Sequence, residues 1–205
     1  MNIHLYLFPK MRTRDENKER IIRQKAIEMF VAEGFDGLSM QKLAKAAGVS
    51  PATIYIYFKD REDLILQIYI EESRKVSKAT LENFDPEMHF DEGLRVQWIN
   101  RAKYCIQNPL GMQFIEQVRH SPLSEKAFSM MDKIFMNAMK IFVTTAIERK
   151  ELIPLPLQVY WAIAFAPLYQ LVKFEIEGGF GPPGFKMTEQ IMDQTLSLVL
   201  KALKP

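Results

Sequence analysis

Ser39-Met40-Gln41-Lys42-Leu43-Ala44-Lys45-Ala46-Ala47-Gly48-Val49-Ser50-Pro51-Ala52-Thr53-Ile54-Tyr55-Ile56-Tyr57-Phe58 decides the fold. Ser39 is a good N-cap, so a short helix is predicted over 40–47. Gly48 ends it, because only glycine takes a positive φ freely in a turn this tight. Ser50 caps a second short helix, predicted over 51–57, and Pro51 takes its first helical position, where a missing N–H costs nothing. Ala44 and Ala47 are small enough for the two helices to cross closely. Leu43, Val49, Ile54 and Phe58 have the spacing to close a small core with Phe30 and Phe35. That assignment leaves Ala52, Thr53, Tyr55, Ile56 and Tyr57 largely outside.

An exposed face of Tyr, Thr and Ile on two turns of helix is unusual for a surface that only meets water. It suits a helix lying in a DNA major groove, where hydroxyls bond phosphates and methyls of Thr and Ile touch thymine methyls. A plainer reading stands beside it: Tyr55 or Tyr57 covers the small core. Charge distribution leans the same way as the groove reading. Residues 1–62 hold 11 Lys+Arg and 8 Asp+Glu, whereas the whole chain carries a formal charge of only +2.

Working outward, spacings of three and four recur and strand-like alternation is absent, so the chain reads as all-α. Thr13 and Glu16 form a capping-box pattern. The first helix is predicted over 14–33, with Ile22, Ala26, Met29 and Phe30 on its apolar side and Gly34 ending it. Asp60 caps a long fourth helix reaching about Leu81, where Asn83, Asp85 and Pro86 break the chain. Further helices are predicted over 88–107, 110–119, 122–150, 156–177 and 187–203, about nine in all. Met1–Lys10 reads as a loose tail, and Met11 offers an alternative start. No apolar run of about 20 residues appears, so no membrane partner is expected. Cys105 is the one cysteine, which excludes an intrachain disulfide.

Leu43 to Leu64, with its turn glycine, its Tyr55-Ile56-Tyr57-Phe58 and the acidic-capped helix that follows, resembles the signature of the tetracycline-repressor (TetR) family of regulators. The likeness covers about Glu19 to Tyr69. It implies a flexible tail at 1–12, a three-helix DNA-binding domain with a helix-turn-helix at 13–68, and a larger helical domain at 69–205 for ligand binding and dimerisation. By the same resemblance, Ser39 contacts a phosphate and Ser50 caps the recognition helix beside the DNA backbone. Ala52 and Thr53 approach base edges, Tyr55 and Tyr57 bind phosphate, and Ile56 takes the variable, sequence-reading position. Lys59 and Arg61 begin the fourth helix beside the backbone, with Lys42 as a further basic contact. Arg12 and Arg14 precede the first helix and suit a minor-groove arm.

In the C-terminal two-thirds, the last two helices are apolar nearly all round and need burial on more than one side. Two-fold dimerisation through Ala162, Ala166, Ile191, Thr195, Leu198 and Val199 meets that need. Pro167 should kink the helix that holds it, and kinked helices with large aromatics line cavities. The candidate ligand set is Trp98, Ala102, Cys105, Phe114 and Phe135, with Met139, Phe142, Trp161, Phe165 and Tyr169; a core of the same residues is the plainer alternative. The expected ligand is small and apolar or aromatic, with Tyr104 or Tyr169 as its polar anchor, while Arg101, Lys103 and Lys140 are expected to face water. No catalytic residue, metal or cofactor is expected. His4, His89 and His120 are isolated, and none stands at metal-ligand spacing from Cys105. The resemblance implies a repressor on a palindromic operator in double-stranded DNA, released by its ligand, in the cytoplasm with the nucleoid. An activator, or an architectural protein without a ligand, shares the same N-terminal features.

Overall fold

A computed structural model describes residues 15–130, 132–177 and 184–205. Arg12, Thr13 and Arg14, and the glycine-rich run after Glu177, lie outside the described residues. Those residues hold eleven helices and no strand. They divide between Ile65 and Leu66 into two compact units, each with its own core.

The first unit is built on α1 (Glu16–Gly37), α2 (Met40–Ala47), α3 (Pro51–Ile54) and the start of α4 (Arg61–Thr80). Asp15 caps α1 by accepting hydrogen bonds from the backbone of Asn17 and Lys18, two residues after the cap that the Thr13 pattern predicts. Gly34, at φ 74°, interrupts α1 where a glycine was expected, but a further short helical stretch carries on to Gly37. Ser39 caps α2 through Lys42 N–H, and Gly48 closes it in the left-handed conformation, its N–H donating to Ala44 O and Lys45 O. α3 is shorter than the predicted 51–57. After Ile54 the bonds shorten to Ile56 N–H to Thr53 O and Tyr57 N–H to Ile54 O, so the chain continues to Phe58 as tight turns. The β-branched Thr53, Ile54 and Ile56 favour this, because their stiff side chains crowd a regular helix. α4 then starts from a reciprocal cap, with Asp63 N–H donating to Asp60 and Lys59 N–H donating to Asp63. Ile22, Ala26, Phe30, Leu43, Ile54 and Phe58 are buried in the unit's core. Phe35 is only half-buried, edge-on to Phe30.

The second unit holds the rest of α4 and α5 (Phe90–Gln107), α6 (Pro109–Arg119), α7 (Ser124–Ser129), α8 (Lys133–Glu148), α9 (Leu157–Ala164), α10 (Ala166–Glu177) and α11 (Glu189–Leu203). Two predicted helices are each split. The 122–150 helix breaks after Ser129, whose hydroxyl bonds back to Lys126 O, and restarts from an Asp132 cap on Ile134 N–H. The 156–177 helix opens at Phe165 (φ −127°, ψ −26°) rather than at Pro167 itself. Proline disturbs the turn before it, because its ring meets the carbonyl four residues back and its N–H is missing. α5 packs against α8 and α10, and α9 against α10 and α11.

At the centre of this unit Phe142 stacks on Phe90 and meets Phe84 edge-on, with centroids 5.6 Å and 5.1 Å away. Gly93 admits that ring: a Cβ there would lie 2.3 Å from Phe142 Cε2. Alanine normally gains about 1 kcal/mol over glycine inside a helix. At this position the fully buried ring cannot yield, so Gly93→Ala is expected to destabilise the unit by about 1–3 kcal/mol. Denaturant unfolding followed by fluorescence tests this, and a more stable variant would refute it.

Candidate functional site

The capped turn from Ser39 to Phe58 sorts its side chains into two sets. Ala52, Tyr55, Ile56 and Lys59 are exposed, Tyr55 at 54% and Ile56 at 37%. Thr53 and Tyr57 are not, at 8% and 5%, and their expected place on the outer face is corrected. The cause is local hydrogen bonding. Thr53 turns in to share a 2.9 Å bond with the Ser50 hydroxyl, whose oxygen also accepts Thr53 N–H. The Tyr57 hydroxyl accepts the N–H of Asp15 at 2.9 Å and donates to Asp15 O at 3.2 Å. It therefore ties the turn after α3 to the start of α1. Of the two tyrosines, Tyr57 covers the core and Tyr55 stands clear.

The basic residues separate likewise. Lys59 is exposed. Lys42 is exposed too, with its ammonium 2.8 Å from Glu33 and bonded also to Gly37 O. Arg61 lies over the Phe35 ring at 4.2 Å, with Nε and one terminal nitrogen cut off from solvent. Its guanidinium thus packs on the unit while the side chain as a whole stays half-buried. Arg14 lies outside the described residues. Ser39 is half-buried and Ser50 exposed, both occupied as caps.

In the second unit one cluster brings together Trp98, Ala102, Cys105, Phe142 and Phe165, with Trp161 and Tyr169 packed at its edge. Trp98 Nε1 donates to Ala164 O at 2.8 Å, where α9 ends. Phe135 joins through Arg101, whereas Phe114 is buried outside this cluster and Met139 is half-buried on α8. Val199, expected at a dimer surface, is a core residue at 6% exposure, since α11 turns it with Leu196 and Leu203 towards α9. Ala162, Ala166 and Leu198 are exposed, and Ile191 and Thr195 are half-buried.

Arg101 overturns an expectation. Lys103 and Lys140 are exposed, but Arg101 is 3% exposed. Its guanidinium lies over Phe165 at 4.4 Å, Trp161 at 5.2 Å and Phe135 at 5.5 Å. One terminal nitrogen donates to the Tyr169 hydroxyl at 2.8 Å and the other to Gln97 Oε1 at a long 3.4 Å. No carboxylate pairs with it among the described residues. Cys105 and Tyr160 do not supply the missing charge. Burial pushes the Cys105 thiol up to about 11, and pushes the Tyr160 phenol up well beyond its ordinary value, against a smaller opposing pull from Arg101. Arg101 Nε, Gln97 Nε2 and the Tyr160 hydroxyl are all buried without a hydrogen-bond partner. Stacking on aromatic rings returns about 2 kcal/mol to a desolvated cation, whereas desolvating an ion costs several kcal/mol even after relaxation. Spacing offered a signal for this residue: Arg101 follows Trp98 by three and precedes Cys105 by four, so it shares their face.

Among the described residues no cluster of His, Cys, Asp and Glu is able to hold a metal ion. No described helix is long and apolar enough to cross a membrane.

Residues 22–68 match the family model of bacterial regulatory proteins, tetR family. An uncharacterised HTH-type transcriptional regulator of Haemophilus influenzae is 36% identical over 95 residues, 46% of this chain and 50% of the relative. The chain spans half or less of the length of the first curated relatives it matches. Among solved structures, a TetR family transcription regulator from Marinobacter aquaeolei VT8 superposes with a TM-score of 0.72 at 26% identity, over 95% of this chain and 99% of that one. A regulator described as a putative member from Shewanella sp. PV-4 shares the fold, with a TM-score of 0.77 at 17% identity over 92% and 98% of the two chains. With its capped helix-turn-helix inside the matched residues, the 22–68 segment is a DNA-binding domain of the tetR family of bacterial regulatory proteins, and the described chain as a whole takes the fold of TetR family transcription regulators.

Proposed function

We propose that this chain is a dimeric, sequence-specific DNA-binding repressor, and that a small molecule bound in the 66–205 unit releases it from a palindromic operator in the cytoplasm. The observation that carries the DNA reading is the exposed face of α3 and the turn after it. Tyr55 and Ile56 stand out from a core that otherwise buries its large apolar side chains. Ser39, Ser50 and Tyr55 present hydroxyls and Lys59 a charge for phosphates, with Lys42 available once it leaves Glu33; Ala52 and Ile56 meet base edges. Ile56 brings no hydrogen bond, so DNA shape carries part of the specificity.

Dimerisation is supported by apolar side chains left exposed on α9 and α11. Leu198 is 66% exposed, Leu157 59% and Val159 41%, beside exposed Ala162 and Ala166 and half-buried Ile191 and Thr195. Covering these faces across a two-fold axis brings two recognition helices to successive major grooves, about 34–36 Å apart. The repressor sign follows the family resemblance.

Selection of binding sites from genomic DNA with purified protein, at stated salt, tests the reading. A palindromic motif is expected, and Tyr55→Ala should lose it. Recovery of no motif would sink sequence-specific binding and favour an architectural role; a single half-site would sink the dimer.

A further inference from the structure

The buried donors around Arg101 state what they lack. Arg101, Gln97 and Tyr160 each keep a polar atom buried without a partner, and each of those atoms has a hydrogen to donate. The set holds a positive charge and no negative one. Arg101 and Gln97 are joined by a side-chain bond, and Arg101 and Tyr160 both pack on Phe165. A buried polar group without a partner, and still more a buried charge, is disfavoured unless something completes it.

The geometry points to an anion site: the effector of this regulator carries a carboxylate that Arg101 holds, with Gln97 and Tyr160 as further donors and an apolar or aromatic body against Phe135, Trp161 and Phe165. The inference rests on the reading of the 66–205 unit as ligand-binding, and it replaces a mostly apolar ligand with an amphipathic acid. A carboxylate presents two acceptor oxygens and one negative charge, which matches the planar guanidinium fork. Tyr169 already accepts from Arg101 and orients it. The aromatic rings that stack on the cation also present faces to a flat organic acid.

The test is thermal unfolding of the full-length protein with benzoate, 4-phenylbutanoate and 2-naphthoate, each beside its uncharged amide and at matched ionic strength. At ten times its dissociation constant, a carboxylate should raise the melting temperature by roughly 3–5 °C. Its amide should raise it little, and Arg101→Met should abolish the difference. Should Arg101→Met not fold, Arg101→Lys, which keeps the charge and loses the fork, should at least halve the shift. A series in which no carboxylate exceeds its amide overturns the inference, ordered water then completing the donors. A carboxylate shift that survives Arg101 replacement overturns it too, since the acid then binds elsewhere. No DNA enters this assay, so its failure leaves the operator reading intact, and failure of site selection leaves the carboxylate result intact.

Discussion

Replacing Trp98 by alanine should lower the stability of the 66–205 unit by about 3–5 kcal/mol. Trp98 is fully buried at the centre of the cluster that joins α5 to α9, α10 and α11. Two terms add. Removing the indole leaves a large cavity that its neighbours fill only in part. Removing Nε1 also strips Ala164 O of its donor, at the point where the chain breaks between α9 and α10, and an unpaired buried carbonyl is worth about 1–3 kcal/mol. Trp98→Phe separates them, because it keeps most of the apolar volume and loses only the donor. The chain has two tryptophans, Trp98 and Trp161, both in this unit. Fluorescence of Trp161 therefore follows its unfolding alone in either variant. A loss below about 1 kcal/mol for Trp98→Ala would show that the cluster closes over the gap, and that α9 and α10 do not depend on this anchor.

How far the sequence revealed these features depended on the range of the interactions behind them. α2 was read to its first and last residue, because Ser39 and Gly48 act within one turn of themselves. Asp60 was legible as a cap for the same reason. The long helices of the second unit were readable as helices but not as pieces. Nothing in their periodicity marks Ser129, which returns its hydroxyl to Lys126 O, as a stop. Pro167 announced a break, but where the chain yields is set by the carbonyls upstream, which puts the opening at Phe165.

Side-chain placement was harder, because charge misleads where pattern would not. The charge of Arg101 points to water, although its spacing to Trp98 and Cys105 puts it on the buried face. Thr53 and Tyr57 failed for the opposite reason. A regular helix to residue 57 would turn both outward, whereas the tight turns after Ile54 rotate Tyr57 inward. Its partner, the backbone of Asp15, is 42 residues away in sequence. No local rule connects two residues so far apart.

That difference between the two tyrosines has a sharp consequence for their variants. Tyr57→Ala removes a buried ring together with both bonds to Asp15, and should destabilise the 15–65 unit by about 3 kcal/mol. Any loss of DNA binding then follows from unfolding. Tyr57→Phe keeps the ring, so it should lose only about 1 kcal/mol of stability, with operator affinity per folded molecule unchanged. Tyr55 should behave in the reverse sense. Its ring is more than half exposed, so Tyr55→Phe should leave stability within about 0.5 kcal/mol. A hydrogen bond to a charged phosphate is worth about 1.5–3 kcal/mol, so the same change should weaken operator binding roughly 10- to 100-fold. Circular dichroism melts read the first quantity and fluorescence anisotropy on the selected operator reads the second, both at one salt concentration. Equal losses of affinity in the two Phe variants, with stability unchanged in both, would mean that Tyr57 leaves Asp15 when DNA binds. Its hydroxyl would then serve the helix cap only until a phosphate takes over.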